Sequence, residues 1–198
     1  MSERTSQAQF DAMYSGTPPW DIGHPQPCLQ AIADAGGLRG RVLDAGCGTG
    51  EHAIMAAGMG LETLGIDGSP TAIDLARRKA AQRGVDVPFL VADALDLPSL
   101  GRVFDTVIDS GLFHVFDDVN RARYVDSLRA VTAPGGRVYV LSFSDKVPGD
   151  IGPRRVTEGE IRSSFASPDK AWNVERVEAV GMEVNLSPEP IQIGRAHV

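Results

Sequence analysis

Apolar and polar positions follow two rhythms along this chain, and their order predicts its elements. Five short runs rich in Val, Ile and Phe have the length of buried strands: RVLDA (41–45), ETLGID (62–67), VPFLVA (87–92), VFDTVIDS (103–110) and RVYVLSFS (137–144). Between them lie stretches of helical spacing: EHAIMAAGMG (51–60), SPTAIDLARRKAAQRG (69–84) and DVNRARYVDSLRAVTAPGG (118–136), the last ending in a Pro-Gly-Gly break. In the second of these, Ser69 is placed to accept from the orphan amides of the first turn. Pro70 suits the first helical position, and Gly84 the left-handed site past the end. TEGEIRSSF (157–165) carries a capping box, with Thr157 before the helix and Glu160 three residues later. WNVERVEAVGMEV (172–184) reads as a final strand. Strands separated by helices must pair in parallel, because the crossover needs a helix's length of chain. The expected fold is α/β, an open, doubly wound, mostly parallel Rossmann-like sheet.

Ahead of this alternation, residues 1–37 form a separate prelude. SQAQFDAMY (6–14) has Phe10, Met13 and Tyr14 at helical spacing, and SGTPPWDIGHPQP (15–27) has turn-forming composition. A short helix begins near Pro27, with Leu29, Ile32 and Ala33 on its inner face.

Bulk numbers narrow the function. The 198 residues suffice for one domain, and 42% hydrophobic residues describe a globular chain. A net charge of -7 works against a phosphate-binding face, so no nucleic-acid partner is expected. No run approaches membrane-spanning length, and no leader is recognised. Cys28 and Cys47 are too few for a disulfide framework and suggest reduced thiols in a cytoplasm, while the four histidines lack metal-ligand spacing, so no metal is expected.

The chemistry concentrates in the turn after the first strand, Gly46-Cys47-Gly48-Thr49-Gly50, with Asp44 two residues ahead of it. Such a turn at a helix N-terminus lets a nucleotide-like ligand approach the backbone. A dinucleotide site needs G-x-G-x-x-G facing a pyrophosphate. Here the spacing is G-x-G-x-G, and a carboxylate in front would repel pyrophosphate but suit an ammonium group. Asp67 ends the second strand, where a carboxylate can accept both ribose hydroxyls. Asp93 lies just past the third strand, in reach of an adenine amino group, with the Ala94 amide beside it for a ring nitrogen.

LDAGCGTG, GIDGSP, VADALDLP, FDTVIDSGLFHV and APGGRVYVLSF, in this order, resemble the class I S-adenosylmethionine-dependent methyltransferases over roughly residues 38–190. YSGTPPWDIGHPQP resembles the small-molecule branch, with its thiopurine methyltransferase-like and mycobacterial small-aromatic methyltransferase-like members. The resemblance implies S-adenosyl-L-methionine as cofactor and a small-molecule methyl acceptor attacked through O, S or N, with residues 38–192 as the methyltransferase domain. It implies that Asp44 orients the turn and the methionine ammonium, and that Gly46, Cys47 and Gly48 form the close backbone. Asp67 and Gly68 would hold the ribose, and Asp93 and Ala94 the adenine. The backbone around Asp109, Ser110 and Gly111 would close on the methionine end, with Tyr14 and Trp20 covering the cofactor. His114, just past the fourth strand, is the candidate general base, since an imidazole titrates near neutrality; a packed histidine is the alternative. Phe113, Val115, Phe116 and Trp20 are expected to line an apolar acceptor pocket, and SDKVPGDIGPRRVT (144–157) to form a lid with Arg154 and Arg155 toward a substrate carboxylate. Cys47 is expected to face the ligand and His24 to belong to a turn. Two other readings stay open at this point: an NAD(P)-linked oxidoreductase, and a non-catalytic S-adenosylmethionine-binding module.

One departure stands at the end. Such enzymes usually finish with an antiparallel strand, but EVNLSPEPIQ (183–192) runs into IGRAHV (193–198), which resembles a translated sequencing adapter. Residues 193–198 are therefore expected to be an artefact, and the chain to be less stable than a parent carrying the last strand.

Overall fold

A computed structural model describes residues 7–147, 152–166 and 172–185. Five strands, β1 (Val42–Ala45), β2 (Thr63–Asp67), β3 (Phe89–Val91), β4 (Phe104–Ser110) and β5 (Thr132–Leu141), form one sheet in the order β3-β2-β1-β4-β5. All four pairings are parallel. Among the described residues six α-helices accompany them: α1 (Gln7–Met13), α2 (Pro27–Asp34), α3 (Glu51–Gly58), α4 (Pro70–Arg83), α5 (Asp118–Val131) and α6 (Glu158–Phe165).

The anticipated caps are present. Ser69 Oγ accepts the Ala72 amide at 3.0 Å, and Gly84 closes α4 in the left-handed region. Thr157 and Glu160 bond reciprocally as a capping box.

Alternation along the strands splits the core between the two sheet faces. Leu43, Val107, Val138 and Val140 pack with Phe113, Tyr124 and Leu128 beneath α5 and α6. Their neighbours Val42, Ile108 and Leu141 pack with Leu29 and Ala33 of α2 and Ala56 of α3 on the opposite face. Burying each such Leu or Ile contributes roughly 1.5–3 kcal/mol before chain entropy is subtracted. The order of strands reverses between β1 and β4, so their carboxyl ends splay around a crevice, the general ligand site of open α/β sheets.

Two expectations need correction. β5 begins at Thr132 rather than Arg137, because its register to β4 jumps from Phe104↔Thr132 to Thr106↔Arg137. Pro134 within the slack has no amide to donate, so the ladder bulges there rather than continuing α5. The stretch 172–184 is not a sheet strand and shows only single bridges at Ala179 and Met182. At its end the backbone is met by a side chain instead. The Gln26 side chain donates to Glu183 O at 3.0 Å and accepts from Glu183 N at 2.9 Å, imitating a strand neighbour. Asn185 N donates to Pro19 O at 2.7 Å. Residues 193–198, and the 148–151 part of the expected lid, lie outside the described residues.

Candidate functional site

The crevice is built from four strand ends. At β1, Asp44 is fully buried, and its Oδ2 accepts the Ala53 amide of α3 at 2.9 Å. Its Oδ1 is buried with no hydrogen-bond partner. Burial, aided by the Asp67 and Asp109 charges, raises this carboxyl to about 7. An orphaned carboxylate oxygen beside a glycine turn is what a ligand ammonium would satisfy, so the donor set fits the methionine end of S-adenosylmethionine.

The turn itself leaves little room over its backbone. A Cβ on Gly48 (φ +52°) would lie 3.0 Å from the Tyr14 hydroxyl, and one on Gly50 (φ +89°) 2.8 Å from the Phe89 ring. Thus Gly48 keeps the space under Tyr14 open, whereas Gly50 lets α3 pack close to β3. Cys47 is placed differently from the expectation. Its Sγ would be 3.2 Å from a Cβ on Gly65, and it packs with Ala53, Ile73 and Ala76 between α3, α4 and the sheet. Because the left-handed glycines on either side reverse the chain, its side chain points into the core, and only its backbone belongs to the turn. Burial pushes its thiol well up, away from reactivity.

At β2, Asp67 accepts Gly48 N at 2.9 Å through Oδ2 and Ser69 N at 2.8 Å through Oδ1. The carboxylate, which the Gly68 backbone also engages, is thereby held in one orientation at the edge of the crevice. Gly68 is partly exposed next to it. Past β3, Asp93 is exposed and caps the 3-10 turn Ala94–Leu100 by accepting Leu95 N at 2.9 Å, with Ala94 partly exposed beside it.

At β4, Asp109 has turned inward. It accepts Leu112 N, Phe113 N and the Tyr124 hydroxyl at 2.8, 3.2 and 2.9 Å. Burial raises it to about 7. The side chain therefore fixes the turn, while Ser110 and Gly111 present the partly exposed backbone of the crevice wall. Tyr124→Phe would remove a donor from a buried carboxylate and is expected to cost about 1–3 kcal/mol in urea unfolding. An unchanged midpoint would show that Asp109 finds compensation.

The prelude docks over this edge. Asp11 of α1 accepts from the Ser69 hydroxyl at 2.5 Å, Thr71 N at 3.1 Å and the Thr71 hydroxyl at 3.0 Å at the start of α4. Asp21, Lys79, Thr49, Glu51 and Arg83 form a half-buried network, with Lys79 Nζ 3.3 Å from Asp21, 2.5 Å from Thr49 and 2.6 Å from Glu51. Between these anchors Trp20 Nε1 donates to Tyr14 Oη at 3.2 Å, their rings edge to face at 6.2 Å. Burial and the Asp67 charge push the Tyr14 phenol well up, so it stays neutral above the turn. Neither Asp11 nor the Lys79 network was legible as site support, since both join residues far apart in sequence.

His114 lies in the 3-10 turn Phe113–Val115 and is buried. Its Nδ1 accepts the Phe143 amide at 3.0 Å, and its ring stacks on Phe143 at 5.0 Å. Phe113 and Phe116 are core residues against Phe165 and Tyr124, so they do not line a pocket as expected; Val115 is partly buried against the same core. Aromatic burial outweighs exposure for those side chains. Met182 and Leu112 were not anticipated. A Cβ on Gly111 would be 4.0 Å from Met182 Cε, and one on Gly46 3.0 Å from Leu112 Cδ2. Arg154 bonds Asp118 and Glu160 at 2.6 and 2.5 Å, so it is spent on surface pairs rather than held toward a ligand. His24 is a turn residue as expected, its Nε2 3.2 Å from Glu183. Among the described residues no group of three His, Cys, Asp or Glu is arranged to hold a metal, and no helix is long and apolar enough to cross a membrane.

Residues 42–136 match a family profile described as a methyltransferase domain. The chain is 37% identical over 188 residues to the 2-heptyl-1-hydroxyquinolin-4(1H)-one methyltransferase of Mycobacteroides abscessus, covering 93% of this chain and 82% of that one. Among solved structures, a protein reported for the conversion of a disulfide bond into a thioacetal group during echinomycin biosynthesis superposes with a TM-score of 0.84 at 37% identity, over 97% of this chain and 92% of that one. The magnesium protoporphyrin IX methyltransferase of Synechocystis with bound S-adenosylhomocysteine shares the fold at 21% identity and a TM-score of 0.65, over 86% of this chain and 79% of that one.

Proposed function

Since the chain belongs to the S-adenosylmethionine-dependent methyltransferases and acts on a small molecule, we propose how its crevice divides the work. Asp44 Oδ1 takes the methionine ammonium, and the backbone of Gly46, Cys47 and Gly48 lies along the ligand. Asp67 accepts the ribose hydroxyls next to Gly68, and Asp93 with the Ala94 amide meets the adenine edge. Tyr14 and Trp20 roof the site, and the backbone at Ser110 and Gly111 closes it below. The observation that carries this reading is the buried, unpartnered Asp44 oxygen beneath the glycine turn.

Bound there, the cofactor supplies a methyl group already activated on a sulfonium. The chain's own task is then alignment and exclusion of water. Tyr14 and Trp20, held by the Asp11 and Lys79 anchors, keep solvent from the turn. Gly111, His114, Phe143 and Met182 lie together past the end of β4 and would offer the methionine end a flat, largely apolar wall. This supports a flat, aromatic acceptor, and the relative named for a hydroxyquinolinone points the same way. The free thiols of Cys28 and Cys47 support a reducing, cytoplasmic setting, and the net charge of -7 supports a partner other than nucleic acid.

Calorimetry with S-adenosylhomocysteine and NAD, followed by labelled-methyl transfer to a panel of phenols, thiols and quinols, tests the proposal. Tight binding of the first ligand, weak binding of NAD and label in a phenol or thiol are expected. Labelling confined to bulky aliphatic acceptors would defeat the flat-acceptor reading.

A further inference from the structure

His114 is set up to give a hydrogen bond rather than to take a proton. An amide N–H can only donate, so the Phe143 contact at 3.0 Å requires the lone pair of the neutral ring to sit on Nδ1. The ring proton is then on Nε2. That edge faces the crevice wall, since a Cβ on Gly111 would lie 3.6 Å from His114 Cε1 and 3.8 Å from Nε2. Serving as a base from Nε2 would require the other tautomer and would strand the Phe143 amide, at a cost of about 1–3 kcal/mol.

The charges around the ring favour the same role. Arg121 of α5 is 4% exposed and lies over the Phe113 ring at 4.9 Å, on the residue next to His114. Its Nη1 reaches Glu160 only at 3.5 Å, and its Nε and Nη2 are buried without partners. Arg155 sits over the Phe143 ring at 5.6 Å. From β4, the Asp109 carboxyl is engaged by Tyr124 and the Leu112 and Phe113 amides. Burial first, then Arg121 and Arg155, push His114 down to about 3, so it stays neutral at working pH. Two guanidinium groups that disfavour a cation here must favour an anion in the same place.

We propose that the methyl acceptor reacts as its anion, a phenolate- or thiolate-type group on a flat ring, received by His114 Nε2–H beside Gly111 in the field of Arg121 and Arg155. The balance closes without a protein base. The acceptor has lost its proton to water before entering. Its lone pair forms the bond to the methyl carbon as the carbon–sulfur bond of the sulfonium breaks, leaving a neutral thioether and a neutral methylated acceptor. This rests on the cofactor assignment above, which the first arm of the test checks separately.

In that arm, calorimetry asks whether S-adenosylhomocysteine binds; failure there sinks the cofactor reading itself. In the second, 4-nitrophenol is titrated with pH in the S-adenosylhomocysteine complex, and the phenolate absorbance of the bound fraction is followed. The bound phenol should ionise at least about one pH unit below the free one, a tenfold preference for the anion. His114→Phe should abolish that shift, whereas His114→Gln, which keeps a donor but cannot act as a base, should retain most of it. If a thermal melt shows that His114→Phe does not fold, Arg155→Gln must shrink the shift instead. An unshifted midpoint, no binding of the phenolate at any pH, or equal losses in the Gln and Phe variants would overturn the proposal.

Discussion

Asp44→Asn should make the ligand-free protein more stable at pH 8 and almost unable to hold S-adenosylmethionine. The carboxyl is fully buried, and its ordinary value of 3.8 is raised to about 7. Below the unfolded value both states are protonated and the group contributes nothing to the pH dependence. Between roughly pH 4 and 7 the folded chain keeps a proton that the unfolded chain has lost, so stability falls as pH rises; above that the full cost of the buried charge is present. Three units correspond to about 4 kcal/mol as an upper bound, and an amide removes that cost. The variant's melting advantage should therefore grow from pH 5 to pH 8. Binding should move the other way. With its oxygen turned to the Ala53 amide, the asparagine would aim N–H groups at the position proposed for the ligand ammonium. Losing one charge-assisted bond of about 3 kcal/mol is roughly a hundredfold in Kd, read by calorimetry with S-adenosylhomocysteine. Equal melting temperatures at both pH values would mean that Asp44 is not the titrating group.

What the chain reveals about itself follows the range of the interactions. Caps are local, so Ser69, Gly84, Thr157 and Glu160 could be read from neighbours three or four residues away. Asp44, the glycines and Asp67 are legible because each sits at a strand end, and strand ends share one edge in a parallel sheet. Side-chain direction inside the turn is different. The outward placing of Cys47 fails because the left-handed backbone at Gly46 and Gly48 turns the thiol inward, onto Ala53, Ile73 and Ala76, which lie on elements the turn does not contain. The 172–184 stretch has strand-like alternation, yet the backbone of Glu183 within it is met by the Gln26 side chain, more than a hundred residues earlier and unremarkable in the sequence. For His114, residue type and place suggested a base; only the amide of Phe143, contributed by another part of the chain, determines which nitrogen carries the proton.

The largest loss of affinity is expected at Asp67. Its two oxygens hold the Gly48 and Ser69 amides at 2.9 and 2.8 Å, so it joins the glycine turn to the start of α4 before any ligand arrives. Asp67→Ala frees these amides and removes the two oxygens proposed to accept from the ribose. At about 1.5–3 kcal/mol per bond to a charged group, S-adenosylhomocysteine should bind roughly 10²–10⁴-fold more weakly. Folding should suffer less, because burial raises this carboxyl too and its ionisation already costs stability. A ligand cycle separates direct contact from a loosened turn. Native protein should prefer adenosine to 2'-deoxyadenosine by at least about tenfold, and the variant should bind the two alike, since the 2'-hydroxyl no longer meets a carboxylate. If the variant weakens both nucleosides yet keeps the native preference between them, Asp67 shapes the turn and something else reads the sugar.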